Sequence, residues 1–490
     1  MKYYSIDFGN SNTNIAVFEP NSHLEERQPL QPELLANDDI GFHYYPGARK
    51  ILVPSCIVPD TPVIGAKAKN NSNGVFNLKN QLKNHPDEKV IELCGQYFRA
   101  LFSRFSIQFS ENDKVVFTRP SFGDNNEVDK QKYIDHFRAA LEKAITDFSD
   151  LDQKGVFHFC DEALAAAVGY RVFQSEKGYQ KDVLCLDIGS FSADVTYFQT
   201  TDFYSIQANE PLTVQHNNRL LAGSKINEWM SAYAEQQGVK SALGDCETLK
   251  ISLTTEGHLF EADKDLSKII NQEVLNEILN NHQFYEQLAQ LCASVLPQFN
   301  PDENYLNSLY FLFTGGSSQL PYFAESLFRK LWQTLFDTEI NKIPVSLSRK
   351  LRHASYKPFE ACVTGAIWWL WLKCEDQRFI PTSDMDYAIR LFERQPSKQL
   401  QEKLLIFLRR GEDITHGINR KYQLFPAHPQ HQDHYRIEIV RLDEGTNKQY
   451  VGFIKGALNE KGEIRLNLSI DKGGELTAQV ENIATELFYI

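Results

Sequence analysis

The chain has 490 residues, too many for one hydrophobic core, so two or three domains are expected. A composition of 42% hydrophobic and 23% charged residues excludes a disordered or fibrous protein. Lys and Arg number 51 against 64 Asp and Glu, a net charge of −13 without any basic block, which excludes a general nucleic-acid binder because such proteins need a positive face to displace counterions.

The N-terminus, MKYYSIDFGN, has no basic region followed by an apolar stretch, so no signal peptide is read and a cytoplasmic protein without a membrane partner is expected. Tyr3 to Phe8 predicts a strand, Gly9 to Asn12 a turn, and Ile15 to Phe18 a returning strand, together a β-hairpin. Val156 to Cys160 predicts a strand running into a small-residue helix, Asp161 to Tyr170. Its Ala and Gly residues allow a second helix to approach closely, and Glu162 is the one member spare for chemistry. Val183 to Ile188 and Val195 to Phe198 then predict a second hairpin.

That second hairpin, LDIGSFSADVTYF, repeats the pattern of IDFGNSNTNIAVF in the first. Such a turn exposes successive backbone N–H groups that can cradle phosphate oxygens, while the Asp at the strand end, Asp7 or Asp187, can face a metal ion bound to the same phosphates. Either copy alone is equally well an ordinary hairpin. The pair points to a clamp on the phosphate tail of a nucleotide.

Leu309 to Phe313 predicts a strand ending in Thr314-Gly315-Gly316-Ser317-Ser318, a Gly-Gly turn opening a helix, where a nucleoside can come close to the backbone. Phe359 to Ala366 predicts another small-residue helix, continuing into AIWWLWL at 366–372. That run is far short of the roughly 20 residues that span a bilayer, so it reads as buried. The eight cysteines form no C-x-x-C pair and read as reduced core thiols. Residues 375–386 are polar with a proline and read as a linker. From Tyr387 the pattern becomes period-two, with RIEIV at 436–440, EIRLNLSID at 463–471, a turn at Asp471 to Gly474 and ELTAQVEN at 475–482, predicting an all-β sandwich over 387–490.

These segments, with VPS at 53–55, IGAKAKN at 64–70, FNLKNQL at 76–82, RPSF at 119–122, LAGSKINEWM at 221–230 and CETLKISLTT at 246–255, stand in the order found in a known family. The chain resembles the seventy-kilodalton heat-shock chaperones, from Ile6 to about Val480. The resemblance implies a two-lobed α/β ATPase fold of the actin and sugar-kinase type over 1–374, with lobes of about 1–182 and 183–374 and a substrate-binding-like β-sandwich after it. It implies ATP or ADP with magnesium held through water by Asp7, Glu162 and Asp187, and Lys69 as the catalytic lysine, with Ser192 keeping the hydroxyl of the second loop. Gly9, Asn10, Ser11 and Asn12 would form the first phosphate loop and Gly189 and Ser190 the second. Gly223, Glu247, Lys250, Gly315, Gly316 and Ser317 would line the nucleoside end.

Three departures temper this. Ser190 and Phe191 stand where the family has glycines, Ile251 and Gln319 replace arginines that sandwich the base, and Phe359 replaces an acid. The expected function is therefore an ATP-binding, chaperone-like protein with weak hydrolysis, whose nucleotide state regulates binding of unfolded or extended peptides, with co-chaperones as further partners. The chain stops at Ile490, where relatives continue into a helical lid, so a lidless module is expected. The alternative is a nucleotide-binding adaptor that does not hydrolyse.

Overall fold

The computed structural model describes residues 1–19, 32–41, 50–122, 127–170, 181–200, 214–254, 264–296, 305–306, 309–338, 340, 343, 360–375, 386–394, 400–409, 418–424, 434–442, 448–457, 463–470, 476–480, 483–485 and 488–489. These fall into two compact units, divided after Gln377. Of the expected linker at 375–386, Glu375 ends a helix and Asp386 begins a strand; residues 376–385, the turn at Asp471 to Gly474 and Phe359 lie outside the described residues.

The first unit is mixed α/β with two sheets. Strands β1 (Tyr3–Phe8), β2 (Asn12–Phe18), β3 (Glu33–Leu34), β4 (Val53–Pro54), β5 (Lys114–Arg119) and β6 (Phe157–Asp161) form one sheet in the order β3-β2-β1-β5-β6, with β4 also paired to β2. Strands β7 (Lys181–Ile188), β8 (Ala193–Thr200), β9 (Val214–Arg219) and β10 (Tyr310–Thr314) form the other in the order β10-β7-β8-β9. In each sheet the first hairpin strand takes a parallel partner on its free side, β5 beside β1 and β10 beside β7. Central strands flanked this way are buried on both faces, which is why they read as near-continuous apolar runs.

Each sheet has its own core. Around the first, Phe8, Phe98, Phe117 and Phe137 pack ring against ring, with Phe98 supplied by the helix Glu88–Arg104. That helix starts where Asp87 accepts the Val90 amide at 2.8 Å and buries a face spaced at helical intervals through Ile91, Cys94, Phe98 and Leu101. Around the second, Phe284, Phe313, Phe323 and Phe328 do the equivalent work.

The small-residue helices pack as their composition predicts. In Glu162–Gly169 and Ala361–Glu375, a Cβ built on Gly365 would lie 1.8 Å from the Ala165 carbonyl oxygen, and one on Gly169 would lie 2.1 Å from that of Ala361. Asp161 caps the first of them, accepting from the Ala163 and Leu164 amides at 2.9 and 3.2 Å. The AIWWLWL run lies within Ala361–Glu375, with Ala366, Ile367, Trp368 and Leu370 buried. No helix among the described residues is long and apolar enough to cross a membrane. Of the cysteines, all of which are free, only Cys374 is not buried.

Two boundaries differ from expectation. Both hairpins close more tightly, their return strands starting at Asn12 and Ala193, because the register pairs Phe8 with Thr13 and Ile188 with Ala193. The Gly-Gly turn opens a 3-10 turn, Gly316–Gln319, rather than an α-helix. Pro321 is the reason: it forces Leu320 into extended backbone at ψ 143°, so the α-helix begins only at Phe323.

The second unit consists of antiparallel strands in two sheets. One has the order β12-β11-β14-β15-β19, built from β11 (Asp386–Arg394), β12 (Leu400–Leu408), β14 (His434–Leu442), β15 (Lys448–Ala457) and β19 (Phe488–Tyr489). The other, β13-β16-β17-β18, comprises β13 (Ile418–Leu424), β16 (Ile464–Ile470), β17 (Leu476–Val480) and β18 (Ile483–Thr485). Ile389, Phe407, Ile439 and Ile454 from the first meet Ile418, Leu466, Leu468 and Val480 from the second in one core, as period-two alternation requires. On the first sheet, Arg390 bridges Glu402 and Glu438 on the two neighbouring strands at 3.0 and 2.9 Å.

Candidate functional site

The two hairpin turns are built alike. The Gly9 amide donates to the Asn12 carbonyl at 2.9 Å, and the Gly189 amide donates to that of Ser192 at 3.2 Å. Just before each turn the second-last residue of the strand is an aspartate, Asp7 opposite Asn14 and Asp187 opposite Asp194. A threonine on the neighbouring parallel strand steadies each one. Thr118 donates to Asp7 Oδ1 at 2.6 Å, and the Thr314 side chain hydrogen-bonds Asp187.

Both turns open into a single cavity of about 410 Å³, and every candidate residue lines it: Asp7, Gly9, Asn10, Ser11, Asn12, Lys69, Glu162, Asp187, Gly189, Ser190, Ser192, Gly223, Glu247, Lys250, Gly315, Gly316 and Ser317. Phe191 and Ile251 line it too, while the Gln319 amide donates to Ser318 Oγ at 3.4 Å. The glycines at the second turn divide in kind. Gly315 has φ +76°, and a Cβ there would sit 2.5 Å from Asp187 Oδ1, so the fold itself demands glycine. Nothing lies within 3.8 Å of a Cβ on Gly189, so the space in front of that residue is kept clear without help from packing.

Around this space the second turn is braced from behind. The Gly223 and Ser224 amides donate to the Gly189 and Ser190 carbonyls at 3.1 and 2.7 Å, and Ser317 Oγ donates to Gly189 O at 3.3 Å. With the Gly189 and Ser190 carbonyls tied back and the Gly189 amide closing the turn, the amides of Ser190 to Ser192 are the turn's candidate anion donors.

Asp7, Glu162 and Asp187 act on one another electrostatically. Burial pushes the Glu162 carboxyl up to about 7, with Lys79 opposing and Asp7 and Asp187 adding to the rise. Burial likewise lifts Asp187 to about 6, helped by Asp194 and Asp7, and raises Asp7. Asp194 accepts from Ser192 Oγ at 2.5 Å and lies 3.7 Å from His216. Among the described residues no three His, Cys, Asp or Glu side chains are close enough to ligate one ion directly. The donor set nevertheless fits a hydrated magnesium: carboxylates whose pKa values burial and mutual repulsion raise, beside room for the waters that magnesium gives up reluctantly.

No protein-family model matches the chain, and no curated protein matches it.

Lys69 stands at the rim, half-exposed, its ammonium 3.0 Å from Glu247 Oε2. The lysine that reaches the carboxylates is Lys79, which forms an ion pair with Glu162 with only 10% of its side chain exposed. Lys83, one turn further along the helix Leu78–Asn84, also lines the cavity; burial lowers its pKa, with Asp194 opposing the fall. Sequence reasoning missed Lys79, Lys83, Thr118, Thr314 and Asp194 as site residues. A signal existed for some of them: FNLKNQLKN places two lysines at i and i+4, and both parallel partner strands carry a threonine at or near their C-terminal end.

Lys250 is buried, donating to Gly223 O and Asn227 Oδ1, each at 2.8 Å. Burial lowers its pKa to about 8, with Lys69 adding to the fall and Glu247 opposing it. Between pH 8 and its ordinary value of 10.5 the unfolded chain binds a proton that the native protein does not, so this residue's contribution to stability rises with pH across that window. Urea midpoints at pH 7.5, 9 and 10 should show wild type gaining on Lys250→Met as pH increases; a constant difference would mean that the ammonium is no harder to bury than methionine.

Proposed function

We propose that the first unit binds ATP with magnesium and hydrolyses it weakly, and that nucleotide state regulates binding of extended peptide segments by the C-terminal strands. The observation that carries this reading is the convergence of two equivalent hairpin turns, each with its strand-end aspartate, on one cavity. The resemblance to the heat-shock chaperones and the two-lobed ATPase fold belong to the same reading.

In this reading the amides around Gly9 and Gly189 hold the phosphate oxygens, and Gly223, Lys250 and Gly315 to Ser317 form the nucleoside end. Asp7, Glu162 and Asp187 would hold the magnesium through its waters, and the bound ion would shield charge on the phosphates. Water is the nucleophile, and rate comes from positioning rather than from covalent chemistry. Asp161 keeps Glu162 in place by capping its helix, with Arg119 at 3.3 Å and Ser121 at 2.6 Å in turn holding Asp161.

A second reading, a nucleotide-binding adaptor without turnover, is favoured by the Phe191 side chain in the cavity. Calorimetry with ATP, ADP and AMP, run beside a phosphate-release assay, separates the two. Binding with slow release is expected, and Phe191→Gly should speed release by about tenfold if the ring crowds the reacting phosphate, a barrier change of about 1.4 kcal/mol. Binding without any release, in wild type and Phe191→Gly alike, selects the adaptor. Absence of binding by all three nucleotides ends both readings.

A further inference from the structure

We propose that Lys79, and not Lys69, is the ammonium group that meets the terminal phosphate of the bound nucleotide, with Lys83 serving the phosphate next to it. This rests on the nucleotide reading of the cavity and changes which residue does the work.

Lys79 is enclosed at the carboxylate end. It is paired with Glu162, and only 10% of its side chain is exposed. Its helix is tied to the first turn by the Asn80 amide, which donates to Asn10 Oδ1 at 2.8 Å. Lys83 lines the same cavity, its ammonium 5.3 Å from the centre of the Phe122 ring, and Asp194, which accepts from Ser192 of the second turn, lines it too. The two lysines of one helix therefore reach one cavity from positions a single turn apart. An enclosed cation acts through a low dielectric and is already oriented before substrate arrives. Lys69 has the opposite situation: 43% of its side chain is exposed, it is screened by water, and Glu247 already occupies it.

The cavity also has room for the exchange this requires. Lys79 and Glu162 both line the cavity, so the Lys79 ammonium can turn from the carboxylate to a phosphate oxygen that enters beside them.

Calorimetry of the full chain with magnesium and AMP, ADP or ATP would test this in wild type, Lys69→Gln, Lys79→Gln and Lys83→Gln. Lys79→Gln should weaken ATP by about tenfold or more relative to ADP, the size of one lost hydrogen bond to a charged group. Lys83→Gln should weaken ADP and ATP together, and Lys69→Gln should leave the ATP-to-ADP ratio within about threefold of wild type, as expected for an exposed charge. Thermal melting identifies a variant that has not folded; the Lys69→Gln arm decides the matter even then, since loss of ATP preference there overturns the inference. An unchanged ratio in folded Lys79→Gln also overturns it, while leaving the nucleotide reading intact. Failure of wild type to bind any nucleotide overturns both.

Discussion

Asp7→Asn should weaken magnesium-dependent ATP binding by about 10–100-fold while leaving the protein folded. Asparagine keeps the shape at the end of β1 and can still accept from Thr118, so the hairpin and its pairing with β5 persist. What is lost is one negative charge from the set of Asp7, Glu162 and Asp187. Loss of a carboxylate that holds an ion through water costs on the order of 10–100-fold in metal affinity. Turnover should fall by about 100-fold or more, because the bound ion offsets charge as the phosphate transfers. Asp187→Asn should behave alike, since Asp187 stands in the equivalent place beside Thr314. Calorimetry with and without magnesium measures the first effect and single-turnover phosphate release the second. AMP serves as the control ligand, because its single phosphate makes the least use of the metal. Both variants should melt no lower than wild type, since each removes a buried charge that raises its neighbours' pKa values. Magnesium-dependent ATP binding of unchanged affinity in both would sink the clamp.

The largest expected loss of stability comes from Gly365→Ala. The added methyl would meet the Ala165 carbonyl oxygen at 1.8 Å and the Gly169 nitrogen at 2.5 Å, both backbone atoms of a packed helix that cannot turn aside as a flexible side chain could. Separating the two helices exposes apolar surface on both, so about 3 kcal/mol or more should be lost. Because Glu162 is the first residue of the helix that must move, nucleotide binding should weaken as well. Gly244→Ala is the matched control: nothing lies within 4 Å of the added carbon, and in the helix Leu243–Thr254 it should be neutral or stabilise by up to about 1 kcal/mol. Chemical denaturation of the two variants side by side measures the contrast. Equal midpoints would mean that the helices do not pack as closely as their glycines indicate.

The close helix contact was legible because Ala and Gly at helical spacing can do little else than pack. The hairpins were legible for a similar reason: apolar runs broken by Asp-x-Gly turns specify strand, turn and strand through neighbours only a few residues apart. The C-terminal strands showed themselves where one face alternates cleanly, at 436–440, 464–470 and 476–480, and less where polar residues crowd both faces, as in β13 with INRKYQL.

The sequence by itself determined the paired turns, the aspartates at their strand ends and the glycines between them, because each depends on local backbone conformation repeated twice. Tertiary structure alone decided that Thr118 supports Asp7, that Lys79 rather than Lys69 reaches Glu162, and that Asp194 holds Ser192. The first two join residues from strands and helices far apart in the chain, and the third depends on which way side chains turn within the second hairpin. Such pairings are set by parallel strand register and by the helix face turned inward, neither of which leaves a periodic signal in a single sequence.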